Sequence, residues 1–339
     1  FDYLGPSNGV AAPIDLATTR TETYAHPGAL PDVTRGTIET DLIRRDFTIN
    51  AMAIRLDGAQ QGTLVDLHGG ESDLYSGRLR VLHERSFEDD PTRLFRGVRF
   101  EQRFNFAFAY DTERLIAPAL PWLDQVSGDR IRHELELIFG EAQPLKALWR
   151  LDELGILPQI DRDLRVDEWI SQRFQAQAAP FDSFTCWVWL ACRLSKSSLT
   201  RFSQRVNLGR AEVTDLAQVQ ALQNAAKTLE QAYSRSRIYR MLVKYHDRAI
   251  RAALTVIDLP AAQRNLALYL NELREIKPAI DGHRLQELGL PPGPEMGRLL
   301  EQLHDAWLDG EIATPQQAEE YAQQVAARQR HELADAEVA

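Results

Sequence analysis

Two cysteines in 339 residues, Cys186 and Cys192, are too few for a disulfide framework and have no metal-ligand spacing. They read as reduced core residues of a cytoplasmic protein. Long apolar runs are missing as well: the longest, Phe184 to Cys192, is too short to cross a bilayer, and no signal-peptide pattern is present. Positive charge is in deficit, with a formal net charge of −10. That argues against an indiscriminate binder of nucleic acid while leaving room for a local basic groove.

What is present is ordinary globular material, 44% apolar and 26% charged, long enough for two or three modules. The segment Arg193 to Arg251 holds 12 Lys/Arg against 4 Asp/Glu. It is expected either to contact an RNA backbone or to form helices with basic outer faces.

The informative stretch runs from Arg44 to Arg103. Its second half reads Asp89-Asp90-Pro91-Thr92-Arg93-Leu94-Phe95-Arg96-Gly97-Val98-Arg99-Phe100. Proline suits the first turn of a helix, and the two aspartates stand where a cap and a charge–dipole contact are expected. In such a helix Leu94, Phe95 and Val98 share an apolar side. Asp90, Arg93, Arg96 and Arg99 fall every third residue along a row. A carboxylate can accept from an exocyclic amine of a base, and arginine can donate to ring acceptors or grip phosphate with two prongs. Taken alone, the row fits equally well an exposed helix laced with salt bridges. The first half, Arg44-Arg45-Asp46-Phe47-Thr48-Ile49-Asn50-Ala51-Met52-Ala53, is an arginine pair running into an apolar, strand- or turn-like segment, with Asn50 in a position suited to stabilising a turn.

Together these residues resemble the class II tRNA nucleotidyltransferases, the CCA-adding and A-adding enzymes, with bacterial poly(A) polymerase as their close relative. The pattern R-R-D-F-T-x-N-A-M-A stands at 44–53. Asp89-Asp90-Pro91-Thr92-Arg93 looks like the family's E-D-x-x-R, with Asp in place of Glu at 89. Asp66, Gly69-Gly70 and Asp73 resemble a third motif, and Arg130-Ile131-Arg132-His133-Glu134-Leu135 a last one. The match runs from about residue 14 to 140.

The resemblance implies an α+β fold, with part of a polymerase-β-like head bearing a mixed sheet (1–84), a helical neck with the base-reading helix (85–160), and a helical body and tail that bind tRNA (161–339). It implies transfer of nucleotides from CTP or ATP to a tRNA 3′ end without a nucleic-acid template. Asp90 and Arg93 are expected on the base edge, with Arg45, Arg96 and Arg99 around sugar and phosphates. Arg44, Asp46, Asn50, Asp66, Arg130 and Glu134 are expected in support. Asp66 reads as a loop-positioning group, Arg130 and Glu134 as partners in a buried contact, and His133 as a surface histidine. Poly(A) polymerase is the alternative enzyme, though it usually carries a basic tail and this tail is acidic. A non-catalytic RNA-binding module is the alternative from another class.

Two Mg2+ ions are implied for the transfer. The family holds them on an Asp-x-Asp pair of a strand that follows a G-x-x-x-R-D turn, and that succession does not occur in this sequence. Asp15, in the strand-like Ile14 to Thr19, is the one candidate ligand, although a capping role or a pairing with Arg20 is the favoured explanation. The chain begins at Phe1, and its first recognisable strand corresponds to the middle of a family member. An N-terminally truncated sequence, inactive alone, is therefore expected.

In chain order, residues 20–40 are rich in Pro and Gly and read as a mobile loop, with Arg20, Glu22 and Tyr24 either tethering it or facing substrate. Strands are predicted at Thr48–Leu56, Thr63–Leu67 and Arg78–Leu82. Helices follow from Glu84 on, among them Asp111–Leu120, Arg130–Phe139 and a final one at Met296–Leu308. Tyr233 to Arg240 mixes tyrosine and arginine, a composition suited to stacking and phosphate contact or to core packing. The enzyme reading would lose its footing if Asp90 and Arg93 were buried in mutual ion pairs, away from any cleft beside Arg45.

Overall fold

The computed structural model describes the chain except residues 1, 5–10, 14–15, 178–179, 278–279 and 339, with side chains over 16–325 and at 327 in those limits. Two compact units part between Leu208 and Gly209. The expected boundary at 160/161 falls inside the first.

The first unit opens with short strand pairs and continues in helices, the α+β order expected. Residues 20–40 are not a loop. Arg20–Thr23 pairs antiparallel with Asp32–Arg35, and helix Ile38–Ile43 follows, capped by Thr37. The alternating Thr and Val residues of R-T-E-T and D-V-T-R favour strand. The Pro and Gly that suggested mobility sit mainly in the connection between the two strands.

The predicted strand at 48–56 begins instead as a tight turn of 3-10 helix, Thr48–Asn50. Side-chain bonds bend the chain there: Asp46 accepts from Asn50 Nδ2 (3.0 Å), and Thr48 Oγ1 donates to Asp73 (2.8 Å). Only then does Met52–Ile54 pair antiparallel with Leu64–Asp66. Arg78–Leu79, shorter than expected, lies parallel to Ala107–Phe108, a strand within the region expected to be all helix. Leu16 to Thr19 have no regular structure. The pairs 52–54/64–66 and 78–79/107–108 give one antiparallel and one parallel pairing rather than one broad mixed sheet. Asp111–Leu120 divides into Tyr110–Glu113 and Ile116–Ala119.

Two glycines owe their place to close approach. A Cβ on Gly70 would sit 2.2 Å from the Thr48 carbonyl oxygen and 2.8 Å from Met52 Cγ. One on Gly97 would sit 2.7 Å from the Phe108 ring and 2.9 Å from that of Phe47. Without side chains, helix Gly70–Tyr75 presses on the Thr48 turn and helix Arg93–Phe104 presses on two aromatic rings.

Helix Arg93–Phe104 is no exposed salt-bridged rod. Leu94, Phe95 and Val98 are fully buried, and Arg93 and Arg99 are buried too. Asn105, in the left-handed conformation (φ 54°), ends it. The neck helix Gly128–Phe139 buries Ile131, Leu135 and Ile138, the stripe predicted from spacing. Beyond it Trp187 packs on Phe139 and Phe202, Trp189 packs on Phe174 and Phe181, and Cys186 is buried.

The second unit is helical. Helix Arg210–Glu230 packs with Asp247–Ala253 and Pro260–Asn271 around Leu222, Ile250 and Leu266. A second cluster gathers Leu285, Leu299, Leu303 and Ala322. The helix predicted at 296–308 runs Pro294–Asp309 and is not the last, because Pro315–Val338 follows it. Among the described residues no helix is long and apolar enough to cross a membrane.

Candidate nucleotide-binding cleft

A cleft of about 810 Å³ opens in the first unit between the 20–35 hairpin, the Arg44–Asn50 segment, the start of helix Arg93–Phe104 and the start of the neck helix. Arg45, Asp46, Asn50, Asp90, Arg93, Arg96, Arg130 and Glu134 all line it, together with Arg44. Arg99 and Asp66 do not. Asp15 lies outside the described residues.

Asp90 shapes the entrance to the arginine helix. Its Oδ1 accepts from Thr92 N (3.1 Å) and Thr92 Oγ1 (2.7 Å), and the first turn of the helix follows at Arg93. Pro91 therefore stands in the preceding turn rather than inside the helix. The same Oδ1 accepts from Arg130 Nη2 at 2.7 Å. Arg130 also donates to the Gly28 carbonyl (3.0 Å), which fastens the hairpin connection to the neck helix. The expected Arg130–Glu134 contact is not made. Spaced as neighbours on one helix, the two side chains are drawn apart because Arg130 has the stronger partners in Asp90 and Gly28.

Arg93 is buried without a carboxylate partner. Its Nη1 donates to Ser86 Oγ (2.6 Å) and its Nη2 to the Arg44 carbonyl (2.7 Å). Asp90 and Arg93 thus do not neutralise each other, and both face the cleft that Arg45 borders.

Asp46 is buried and fully committed. Oδ1 accepts from Phe47 N and Asn50 Nδ2, and Oδ2 from Arg96 Nε (2.8 Å) and Nη2 (2.6 Å). Burial works against its ionisation. The Arg96 guanidinium, Asn50 and the Phe47 N–H outweigh that and hold its pKa below the usual carboxylate range. Arg45 is exposed and reaches Asp41 (2.7 Å). Arg44 bridges Asp41 and Glu22.

Arg20, Glu22 and Tyr24 tether the hairpin, as one of the two readings expected, and they also line the cleft. Glu22 accepts from Arg20, Arg44 and the Tyr24 hydroxyl (2.9 Å), which ties the hairpin down, and all three line the cleft. Burial and the bond to Glu22 push the Tyr24 hydroxyl up to about 12.

Arg99 points away from the cleft toward Glu141 (3.9 Å) and lies 5.3 Å from the Phe100 ring centre. Asp66 accepts from the backbone of His68, Gly70 (2.8 Å) and Glu71 (3.0 Å), serving the Gly69-Gly70 turn. His133 is exposed and stands on the cleft rim. Sequence reasoning did not mark Ser86 or Asp41. Neither carries a motif signal, and their partners lie 7 residues away on another element and on a neighbouring turn respectively.

Of the acids around the cleft, Glu22 and Asp46 are taken by guanidiniums and Asp90 holds Arg130, and Asp129 and Glu134 add no group of three that would fit a magnesium ion. Among the described residues no cluster of three acids, histidines or cysteines is arranged to hold a metal. A D-x-D string does occur, Asp161-Arg162-Asp163, but outside any strand, with Arg201 bridging its two acids.

Residues 7–80 match the family described as Poly A polymerase head domain, and 105–165 the one described as Probable RNA and SrmB-binding site of polymerase A. The A-adding tRNA nucleotidyltransferase of Geobacter sulfurreducens is 34% identical over 89% of this chain and 37% of its own length. That of Halalkalibacterium halodurans is 32% identical over 92% of this chain and 74% of its own. This chain thus spans little more than a third of the first relative and about three quarters of the second.

A CCA-adding enzyme in an apo form superimposes with a TM-score of 0.73 at 30% identity, over 93% of this chain and 77% of that one. The Thermotoga maritima CCA-adding enzyme complexed with tRNA gives 0.67 at 28%, over 86% and 74%. With the α+β order, the cleft and these likenesses in place, the chain belongs to the class II tRNA nucleotidyltransferase/poly(A) polymerase family.

Proposed function

We propose that this chain selects the nucleotide for template-independent extension of a tRNA 3′ end, and that the nucleotide added is the terminal A. The tRNA hydroxyl attacks the α-phosphate of the nucleoside triphosphate, the new phosphodiester forms, and pyrophosphate leaves. One observation carries the reading: Asp90 and Arg93 stand side by side in the cleft, each held by other partners and neither cancelling the other. Asp90 Oδ1 takes Thr92 and Arg130, which leaves Oδ2 for an amine, while Arg93 can donate to an adjacent ring nitrogen. On their Watson–Crick edges adenine and cytosine present that pair of groups, whereas guanine presents its amine beside a ring N–H and uracil has no amine. Arg45, exposed beside the cleft, has the reach to meet phosphate.

Magnesium is the metal this chemistry uses, to activate the hydroxyl and shield developing charge. The described residues supply no ligand set for it, so their part is selection and positioning. The A-adding reading is favoured over full CCA addition because the two A-adding relatives are 34% and 32% identical, whereas CCA-adding enzymes aligned over a similar share of the chain are 26–28% identical. Contact with the tRNA backbone is assigned in part to the basic segment 193–251, where Arg237 and Lys244 border a shallow cavity and Tyr233 is exposed.

Equilibrium binding of the four nucleoside triphosphates tests the selection. ATP and CTP should bind, GTP and UTP much more weakly, and equal binding of all four overturns it. Binding of ATP in the presence of tRNA ending at C75, against binding of CTP in the presence of tRNA lacking the whole CCA, tests the product. Preference for CTP with the second tRNA replaces a reading of A addition alone with one that includes C addition.

A further inference from the structure

Glu134 is buried on the wall of the cleft, and its Oε2 has no hydrogen-bond partner. A buried polar oxygen left unpaired costs stability and calls for a reason. The other acids of the cleft explain what it faces. Both oxygens of Glu22 are used, by Arg20, Arg44 and Tyr24. Both oxygens of Asp46 are used, by Phe47, Asn50 and Arg96. Asp129 is exposed at the rim and accepts from Asn207. Among the acids, the oxygens left open toward the cleft interior are therefore Asp90 Oδ2 and Glu134 Oε2.

ATP or CTP brings two kinds of hydrogen-bond donor, the exocyclic amine of the base and the hydroxyls of the ribose. Its phosphates only accept. If Asp90 takes the amine, what remains for Glu134 is a hydroxyl. We infer that Glu134 is a specificity-determining residue that accepts a hydrogen bond from a ribose hydroxyl of the bound nucleotide.

The surroundings agree. Arg96 and Arg99 stand close enough to influence the Glu134 charge, and the Arg99 Nε is itself buried and unpaired. Burial favours the neutral acid over the charged form. A neutral carboxyl can accept from a hydroxyl without repelling the triphosphate beside it, and can donate as well. This inference rests on the nucleotide reading above, and the experiment separates the two.

Binding of ATP, 2′-deoxy-ATP and 3′-deoxy-ATP is measured by titration calorimetry on the protein, on Glu134→Leu and on Glu134→Gln. Leucine fills the volume without an acceptor, and glutamine keeps one. In the unaltered protein one deoxy nucleotide should bind about tenfold more weakly than ATP, the size of one hydrogen bond to a well-placed partner. Glu134→Leu should erase that ratio and Glu134→Gln should largely keep it. Thermal unfolding identifies any variant that has not folded, and Glu134→Gln then decides through its retained ratio. If ATP does not bind the unaltered protein, the nucleotide reading itself fails. If ATP binds but no deoxy nucleotide is disfavoured, or Glu134→Leu discriminates as before, Glu134 has no role in reading the sugar and its charge serves only Arg96 and Arg99.

Discussion

Arg93 donates to the backbone carbonyl of Arg44 at 2.7 Å, across 49 residues of sequence. The R-R-D segment and the D-D-x-x-R helix are therefore tied together, and the guanidinium facing the cleft is aimed by the chain carrying the other arginines. A fork with one prong on Ser86 and another on Arg44 leaves little freedom to turn away from a base.

Replacing Arg93 should therefore alter selection more than overall binding. Arg93→Ala is expected to cost on the order of 1–3 kcal/mol in the preference for ATP and CTP over UTP. Arg93→Lys should not restore it, since a point charge lacks the planar fork. The ratio of dissociation constants for the nucleotides is the measurement, and an unchanged ratio in Arg93→Ala contradicts the assignment.

Arg130 holds Asp90 and Gly28 together, so its loss should loosen the hairpin connection as well as free the acid. Arg130→Ala is expected to cost about 1–3 kcal/mol locally, the worth of charge-assisted bonds. Limited proteolysis should then cut within 24–31 faster than in the parent protein. Equal cleavage rates would mean the hairpin is fastened by Glu22 and its partners alone.

Gly97 packs against two aromatic rings with no room for a methyl group. Gly97→Ala should lower stability by about 1–3 kcal/mol through overpacking, despite the better helix propensity of alanine. Urea unfolding would read this as a lower midpoint at constant slope. A higher midpoint would mean that Phe108 can move aside without cost.

The buried Glu134 gives the folded state a raised carboxyl pKa, above the ordinary 4.5, with burial as the main cause. The folded form then binds its proton more tightly than the unfolded chain does. Its contribution is fully present below the ordinary value and is lost as pH rises through the raised one. Glu134→Gln should accordingly flatten the pH dependence of stability above pH 4.5 and leave the protein more stable at pH 8. The expected gain is on the order of 1 kcal/mol for each unit of displacement. A Gln variant that is less stable at pH 8 would show that Arg96 and Arg99 need the negative charge.

Much of the cleft was legible in the sequence because its signals are local. The three-residue spacing of Asp90, Arg93, Arg96 and Arg99, and the apolar Leu94, Phe95 and Val98, place a helix without reference to anything distant. What that spacing could not say is where each arginine ends. Arg99 turns to Glu141, and Arg130 leaves Glu134 for Asp90, because those partners lie about 40 residues away and only the fold brings them near.

The hairpin at 20–35 was hidden by its composition. Proline and glycine in the connection outweighed the strand-forming threonines on either side, and cross-strand pairing leaves no mark in a short window. The isolation of Glu134 was invisible for the opposite reason: a missing partner can be recognised only when every neighbour is known.

Gly70 does not line the cleft, yet a side chain there would meet the Thr48 carbonyl at 2.2 Å and displace the Arg44–Asn50 segment that does. A single methyl group at that turn would be read as a fault in choosing ATP, although the damage began at a residue outside the cleft. Changes at such a position would mimic changes in the reader itself.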